Sequence, residues 1–142
     1  VDLKLIKGGK SMITVKMAKV ENPTMRMALQ KLASFNFPKF TTTIKLKHIL
    51  QEFNEQAFKF QTERNEILMG LALKDEKGIP RVENQKYVLD EEGQKKAEEL
   101  HNYYLNQEIK VEREPIKASE LQNAPLSAED LILLEGFIDE KG

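Results

Sequence analysis

Residues 43–73 read TIKLKHILQEFNEQAFKFQTERNEILMGLAL. Within them Leu46, Leu50, Phe53, Ala57, Phe60, Arg64, Ile67 and Leu71 recur at alternating steps of four and three. Side chains spaced in this way share one face of an α-helix, so the stretch predicts a single long helix with a heptad-like apolar seam. Ile49 and Leu68 widen the seam, while Lys45, Glu52, Glu55, Lys59, Glu63 and Glu66 mostly sit off it. No Pro interrupts it, and its one Gly, Gly70, lies near the end. A helix of about 30 residues spans roughly 45 Å and cannot bury its own stripe; it needs a partner.

The chain supplies one. Asp90 reads as an N-cap, with Glu91 and Glu92 facing the positive end of the helix dipole. Gly93, Ala97, Leu100 and Tyr104 then repeat the four-three-four spacing. Folding this helix back as the antiparallel partner of the long one requires only the 75–89 loop. Gly93 and Ala97 let the two helices approach closely beside Leu68 or Leu71. Ile79 to Val88 reads as loop with at most one short strand.

Outward from this pair, Ile13, Val15 and Met17 alternate with Thr14 and Lys16. That is the period of a half-buried strand, read from Met12 toward Val20. Asn22 caps and Pro23 opens a short helix reaching about Phe35, with Met25, Leu32 and either Ala28 or Leu29 inward. Pro38 ends it. A hydroxyl of Thr41, Thr42 or Thr43 is the expected cap of the long helix. Ile109 to Lys117 returns to period two, with Pro115 at its end, and is the natural partner of Ile13–Met17. Ser127 caps a last helix with Glu129 and Asp130 in its first turn and a stripe of Leu131, Leu134 and Ile138. The predicted fold class is α+β, mainly α. It consists of a long antiparallel helix pair with two flanking helices and a small antiparallel sheet, in one domain over residues 12–142. Residues 1–11 read as a leader, an extra first strand or an expression-tag remnant.

Composition bounds the function classes. The chain has 142 residues, 40% hydrophobic and 32% charged, the balance of a soluble helix-rich domain. With no Cys it has no disulfide framework or thiolate metal site, which suits a reducing cytoplasm. No apolar run reaches the ~20 residues of a membrane span. The net charge of −1 conceals a split. Residues 1–50 hold ten Lys/Arg against two Asp/Glu, an excess of eight positive charges. Residues 51–142 hold twelve against twenty-one, an excess of nine negative charges. Either the two segments present opposite faces to partners, or they lie side by side and neutralise each other.

Catalytic chemistry finds no footing. Gly9-Lys10-Ser11 has the ending of a phosphate-binding loop, but the required earlier Gly is Lys4. His48 and His101 lie beside the seams of different helices with no ligand at helical spacing. The clustered carboxylates look like solvated helix faces with Lys partners. Arg64, inside an apolar seam, either pairs with an acid on the facing helix or snorkels to its edge. The expectation is a protein that is not an enzyme, with no cofactor, metal or small-molecule substrate. Its candidate partner-binding residues are Phe35, Phe37, Lys39 and Phe40 of the aromatic connector, and Glu129, Asp130, Glu135 and Asp139 of the acidic last helix. The connector rings also suit a packing plug, while aromatic side chains are enriched at interface hot spots.

Several motifs carry a resemblance that covers nearly everything after Met12. They are Ala28-Leu29-Gln30-Lys31-Leu32, Phe35-Asn36-Phe37-Pro38, Lys45-Leu46-Lys47-His48-Ile49-Leu50, Arg64-Asn65-Glu66-Ile67-Leu68, Glu112-Arg113-Glu114-Pro115-Ile116-Lys117 and Pro125-Leu126-Ser127-Ala128-Glu129-Asp130-Leu131. Their order and layout resemble a family of small bacteriophage proteins that includes a thermophilic-phage inhibitor of host RNA polymerase. The resemblance implies a non-catalytic regulator in the host cytoplasm that binds RNA polymerase, its sigma factor or both, and inhibits initiation. Two other readings stand beside it. One is a nucleic-acid-binding accessory protein using Lys16, Lys19, Arg26, Lys31, Lys39, Lys45 and Lys47. The other is a virion or tail-assembly protein.

Overall fold

The structure, a computed structural model, describes residues 12–141. The leader at 1–11 and its Gly9-Lys10-Ser11 motif lie outside the described residues. The long helix, α3, runs Phe40–Leu71. It follows β1 (Ile13–Lys16), α1 (Met17–Val20) and α2 (Pro23–Ser34), and precedes β2 (Val82–Glu83), β3 (Lys86–Tyr87), α4 (Glu91–Leu105) and β4 (Glu108–Val111). The chain closes with β5 (Ile116–Lys117), a 3-10 turn at Ala118–Leu121, α5 (Ala128–Leu133) and β6 (Ile138–Asp139).

The two halves of α3 serve different neighbours. Leu46, Ile49, Phe53 and Ala57 are buried in the main core, which also takes side chains from β1, α1, α2, β4, β5 and β6. The second half is only half-buried and pairs with α4. The pairing is antiparallel: Gly93 at the start of α4 meets Leu71 at the end of α3, and Tyr104 near its end meets Arg64. A Cβ on Gly93 would meet the Leu71 carbonyl oxygen at 3.5 Å, an ordinary contact; its tight neighbour is the capping Asp90 Oδ1 at 3.0 Å, so the small residue serves the cap rather than the approach of the helices. Asp90 caps α4 by accepting the Gly93 N–H at 2.7 Å. Asn22 caps α2 through the Thr24 N–H at 3.0 Å, with Pro23 in the first position.

β1 pairs antiparallel with β4 in the register Ile13↔Val111 and Val15↔Ile109, which buries all four side chains. The outer edge of β4 is closed by α3. Gln56 Nε2 donates to the Lys110 carbonyl at 2.6 Å, and the Lys110 N–H donates to Gln56 Oε1 at 2.9 Å. One side-chain amide thus stands in for a third strand, covering an edge that would otherwise invite pairing with another chain.

Several local expectations are corrected. The first strand stops at Lys16; Met17 and Val20, three apart, suit the inward face of one helical turn equally well. The predicted strand 109–117 divides, because Pro115 has no N–H for the ladder and Arg113 turns its N–H back to Val111. β5 instead joins β6 in a parallel pair, Ile116↔Ile138. Residues 79–88 hold a hairpin, Val82↔Tyr87, turned by Asn84 and Gln85 at φ 51° and 65°. The threonines do not cap α3: its N-cap is Lys39, with no side-chain cap bond. Thr42 is buried and its hydroxyl has no partner among the described residues. The last helix is short. Gly136, at φ 98°, redirects the chain so that Leu134, Phe137 and Ile138 enter the core from a turn and a strand, while Leu131 faces out.

Candidate protein-docking surface

The sequence-derived candidates divide by exposure. Phe37 is buried and Phe35 half-buried, with their rings edge-to-face at 5.0 Å. They plug the junction between α2 and α3; the Phe37 ring is enclosed there, while Phe35 keeps an edge on an open surface cavity beside Met27 and Pro125. Phe40, in the first turn of α3, is 75% exposed, beside exposed Lys39.

Asp130 is only 6% exposed and belongs to the fold. It accepts the Ser127 N–H at 3.0 Å while its own N–H donates to Ser127 Oγ at 3.1 Å, a capping box, and it pairs with Lys31 Nζ at 2.9 Å. The Ser127 N–H, and then the Lys31 ammonium, hold its carboxyl below the ordinary value. That network docks α5 on α2 and removes Asp130 from a partner surface. Glu129, Glu135 and Asp139 are exposed around the same corner, next to Ile132, 67% exposed.

The charge split in the sequence is interleaved in part: Lys31–Asp130 and Lys45–Glu114, the latter at 3.9 Å, pair cations of the basic third with acids of the rest. Arg64–Glu21, at 3.7 Å, joins the minority charge of each segment and leaves the excess of either sign as it was. Lys19 Nζ also donates to the Ile132 carbonyl at 3.5 Å, and Arg26 Nη2 to the Glu21 carbonyl at 3.3 Å. Of the seven cations in the nucleic-acid reading, Lys16, Arg26, Lys31, Lys39 and Lys47 are exposed, while Lys19 and Lys45 are half-buried.

Arg64 resolves into a packed triad. Its guanidinium lies 4.3 Å above the Tyr104 ring on the facing helix, a cation–π contact. Its acid is Glu21, at the end of α1, rather than a residue of α4. Tyr104 Oη donates to the same Glu21 carboxylate. Burial, reinforced by Glu21, pushes the Tyr104 phenol up to about 12. The triad ties α1, α3 and α4 together.

The surface feature that sequence reasoning missed is an open groove of 540 Å³ between α2 and α3. Phe58 stands on its rim, 68% exposed. The signal was an aromatic directly after Ala57, one step off the seam; the groove also depends on how far α2 stands from α3, which no local pattern encodes. Among the described residues no group of three or more His, Asp or Glu is placed to hold a metal, and no helix is long and apolar enough to cross a membrane. No protein-family model, curated protein or solved structure matches the chain.

Proposed function

We propose that this chain is a non-catalytic regulator of phage type that docks on bacterial RNA polymerase or its sigma factor in the host cytoplasm and inhibits initiation. The motif layout described above supports the reading. The observation that carries it is Phe40: a large ring 75% exposed in the first turn of a helix, with a lysine beside it. Burying such a ring against a partner is worth about 2 kcal/mol or more. The exposed Glu129, Glu135 and Asp139 around Ile132 form a second surface suited to a basic protein segment.

The test is co-migration in size-exclusion chromatography with purified RNA polymerase, core and sigma-holoenzyme separately, followed by a defined transcription assay. Binding to holoenzyme alone points to sigma and to initiation; binding to both forms places the site on core. Phe40→Ser is expected to weaken binding at least ten-fold while leaving thermal stability within about 0.5 kcal/mol, since the ring is exposed. A protein that neither binds nor inhibits polymerase refutes the reading.

A further inference from the structure

The groove between α2 and α3 has an apolar floor and a rim almost free of charge. Leu29, Leu50, Phe53 and Ala57 form the floor. Gln30 and Ala33 on α2, and Asn54, Phe58 and Gln61 on α3, form the rim. Arg26 is the one charged residue among its lining, in a chain that is 32% charged. Interface centres are depleted of charge and enriched in aromatics in the same way.

The dimensions select an occupant. The groove follows α3 from Leu50 to Gln61, about 16 Å or three helical turns. Its α2 wall is built at helical spacing by Arg26, Leu29, Gln30 and Ala33. The exposed lining of the groove falls well short of the roughly 800 Å² per partner of a stable dimer. A single cation gives no track for a phosphate backbone, which needs several. Because the groove is open along its length, it does not enclose a small ligand. A short amphipathic helix fits: its apolar stripe covers the floor, Phe58 closes on its flank, and the amides of Gln30, Asn54 and Gln61 meet its polar edges.

We infer that this groove docks a three-turn amphipathic helix of a partner protein, with apolar residues at i, i+3, i+4 and i+7 and an acidic residue placed over Arg26. The inference rests on reading the chain as a protein-docking module and adds a surface separate from Phe40.

The probe is a lactam-bridged helical peptide of about 12 residues. It carries Leu at i, i+3, i+4 and i+7 and Glu on its flanks, and is titrated against the full chain by fluorescence anisotropy. Its control carries Lys in place of Glu. The acidic peptide is expected to saturate and to bind at least five-fold more tightly than the basic one. Ala33→Trp, which fills the groove from an exposed position, and Phe58→Ala are each expected to weaken binding about ten-fold with unchanged circular dichroism and Tm. Arg26→Glu is expected to invert the preference between the two peptides. No saturation at millimolar peptide, or affinity indifferent to all three substitutions, overturns the inference. A dimer in sedimentation equilibrium that Ala33→Trp dissolves also overturns it, because the occupant is then a second copy. The probe is synthetic, so the two readings fail separately. Peptide binding without polymerase binding removes the transcription role and leaves the groove; polymerase binding without peptide binding does the reverse.

Discussion

Gln56 joins α3 to β4, and replacing it by Leu removes that joint while leaving almost everything else in place. Leu and Gln are both good helix formers, so the local cost is a few tenths of a kcal/mol at most. The loss is two hydrogen bonds, Nε2 to the Lys110 carbonyl at 2.6 Å and the Lys110 N–H to Oε1 at 2.9 Å. Each is worth about 1 kcal/mol net. Lys110 is exposed, so water recovers part of the loss. The expected destabilisation is therefore about 1–2 kcal/mol, seen as a lower urea midpoint at constant m-value and a Tm lower by roughly 4–8 °C. Hydrogen exchange localises it: the Lys110 amide loses its protection, while Ile109 and Val111, whose amides face β1, keep theirs. Gln56→Glu adds a charge. At neutral pH its carboxylate accepts from the Lys110 N–H but faces the Lys110 carbonyl with a second anionic oxygen. Gln56→Glu therefore exchanges one hydrogen bond for a repulsion and is expected to destabilise at neutral pH by at least as much as Gln56→Leu. A stability change below about 0.3 kcal/mol for Gln56→Leu, with Lys110 protection unchanged, would refute the role of the amide.

Two further outcomes follow from the core and the triad. Phe137→Ala removes a fully buried ring packed edge-to-face at 5.3 Å on Phe53, and is expected to cost about 3–5 kcal/mol in denaturant unfolding; a cost below about 1 kcal/mol would mean that the C-terminal segment is not part of the core. The Tyr104 phenol is raised from 10.0 to about 12 in the folded state, so the unfolded chain loses that proton first and wild-type stability declines as pH rises across this interval. Tyr104→Phe lacks that part of the decline, and a series of denaturant midpoints from pH 8 upward measures the difference.

What the sequence disclosed was whatever a local period or cap encodes. The four-three seam located α3 and α4, the alternation of Ile13, Val15, Ile109 and Val111 located β1 and β4, and Asn22, Asp90 and Ser127 marked three helix starts. The misses share a cause. The parallel pair β5–β6 joins residues more than twenty positions apart through two-residue strands too short to show a period. The β2–β3 turn uses Asn84-Gln85, with no glycine to announce its positive φ. Phe37 and Asp130 each carried two readings, plug or anchor for the ring and helix start or partner contact for the carboxylate, and only their burial in the fold selects the first of each. Arg64 was read as an anomaly of the seam, but its acid, Glu21, comes from a turn forty-three residues away in sequence.

The charge split illustrates why surfaces are less legible than cores. Exposed ion pairs such as Lys45–Glu114 contribute little to stability, commonly 0–1 kcal/mol. Their larger effect is on the field: opposite charges placed side by side cancel beyond a Debye length of about 8 Å in physiological salt. Pairing Lys31 with Asp130 and Lys45 with Glu114 therefore weakens part of the long-range steering that the linear sequence suggested. Two of the surfaces that remain are apolar at their centres, Phe40 at the head of α3 and the groove beneath Phe58. Recognition at such surfaces draws mainly on apolar area and shape, with one or two charged contacts beside it, so its affinity falls only modestly as salt rises, whereas binding through several phosphate contacts falls steeply. Salt dependence thus separates the protein-docking reading from the nucleic-acid reading without knowledge of the partner's sequence.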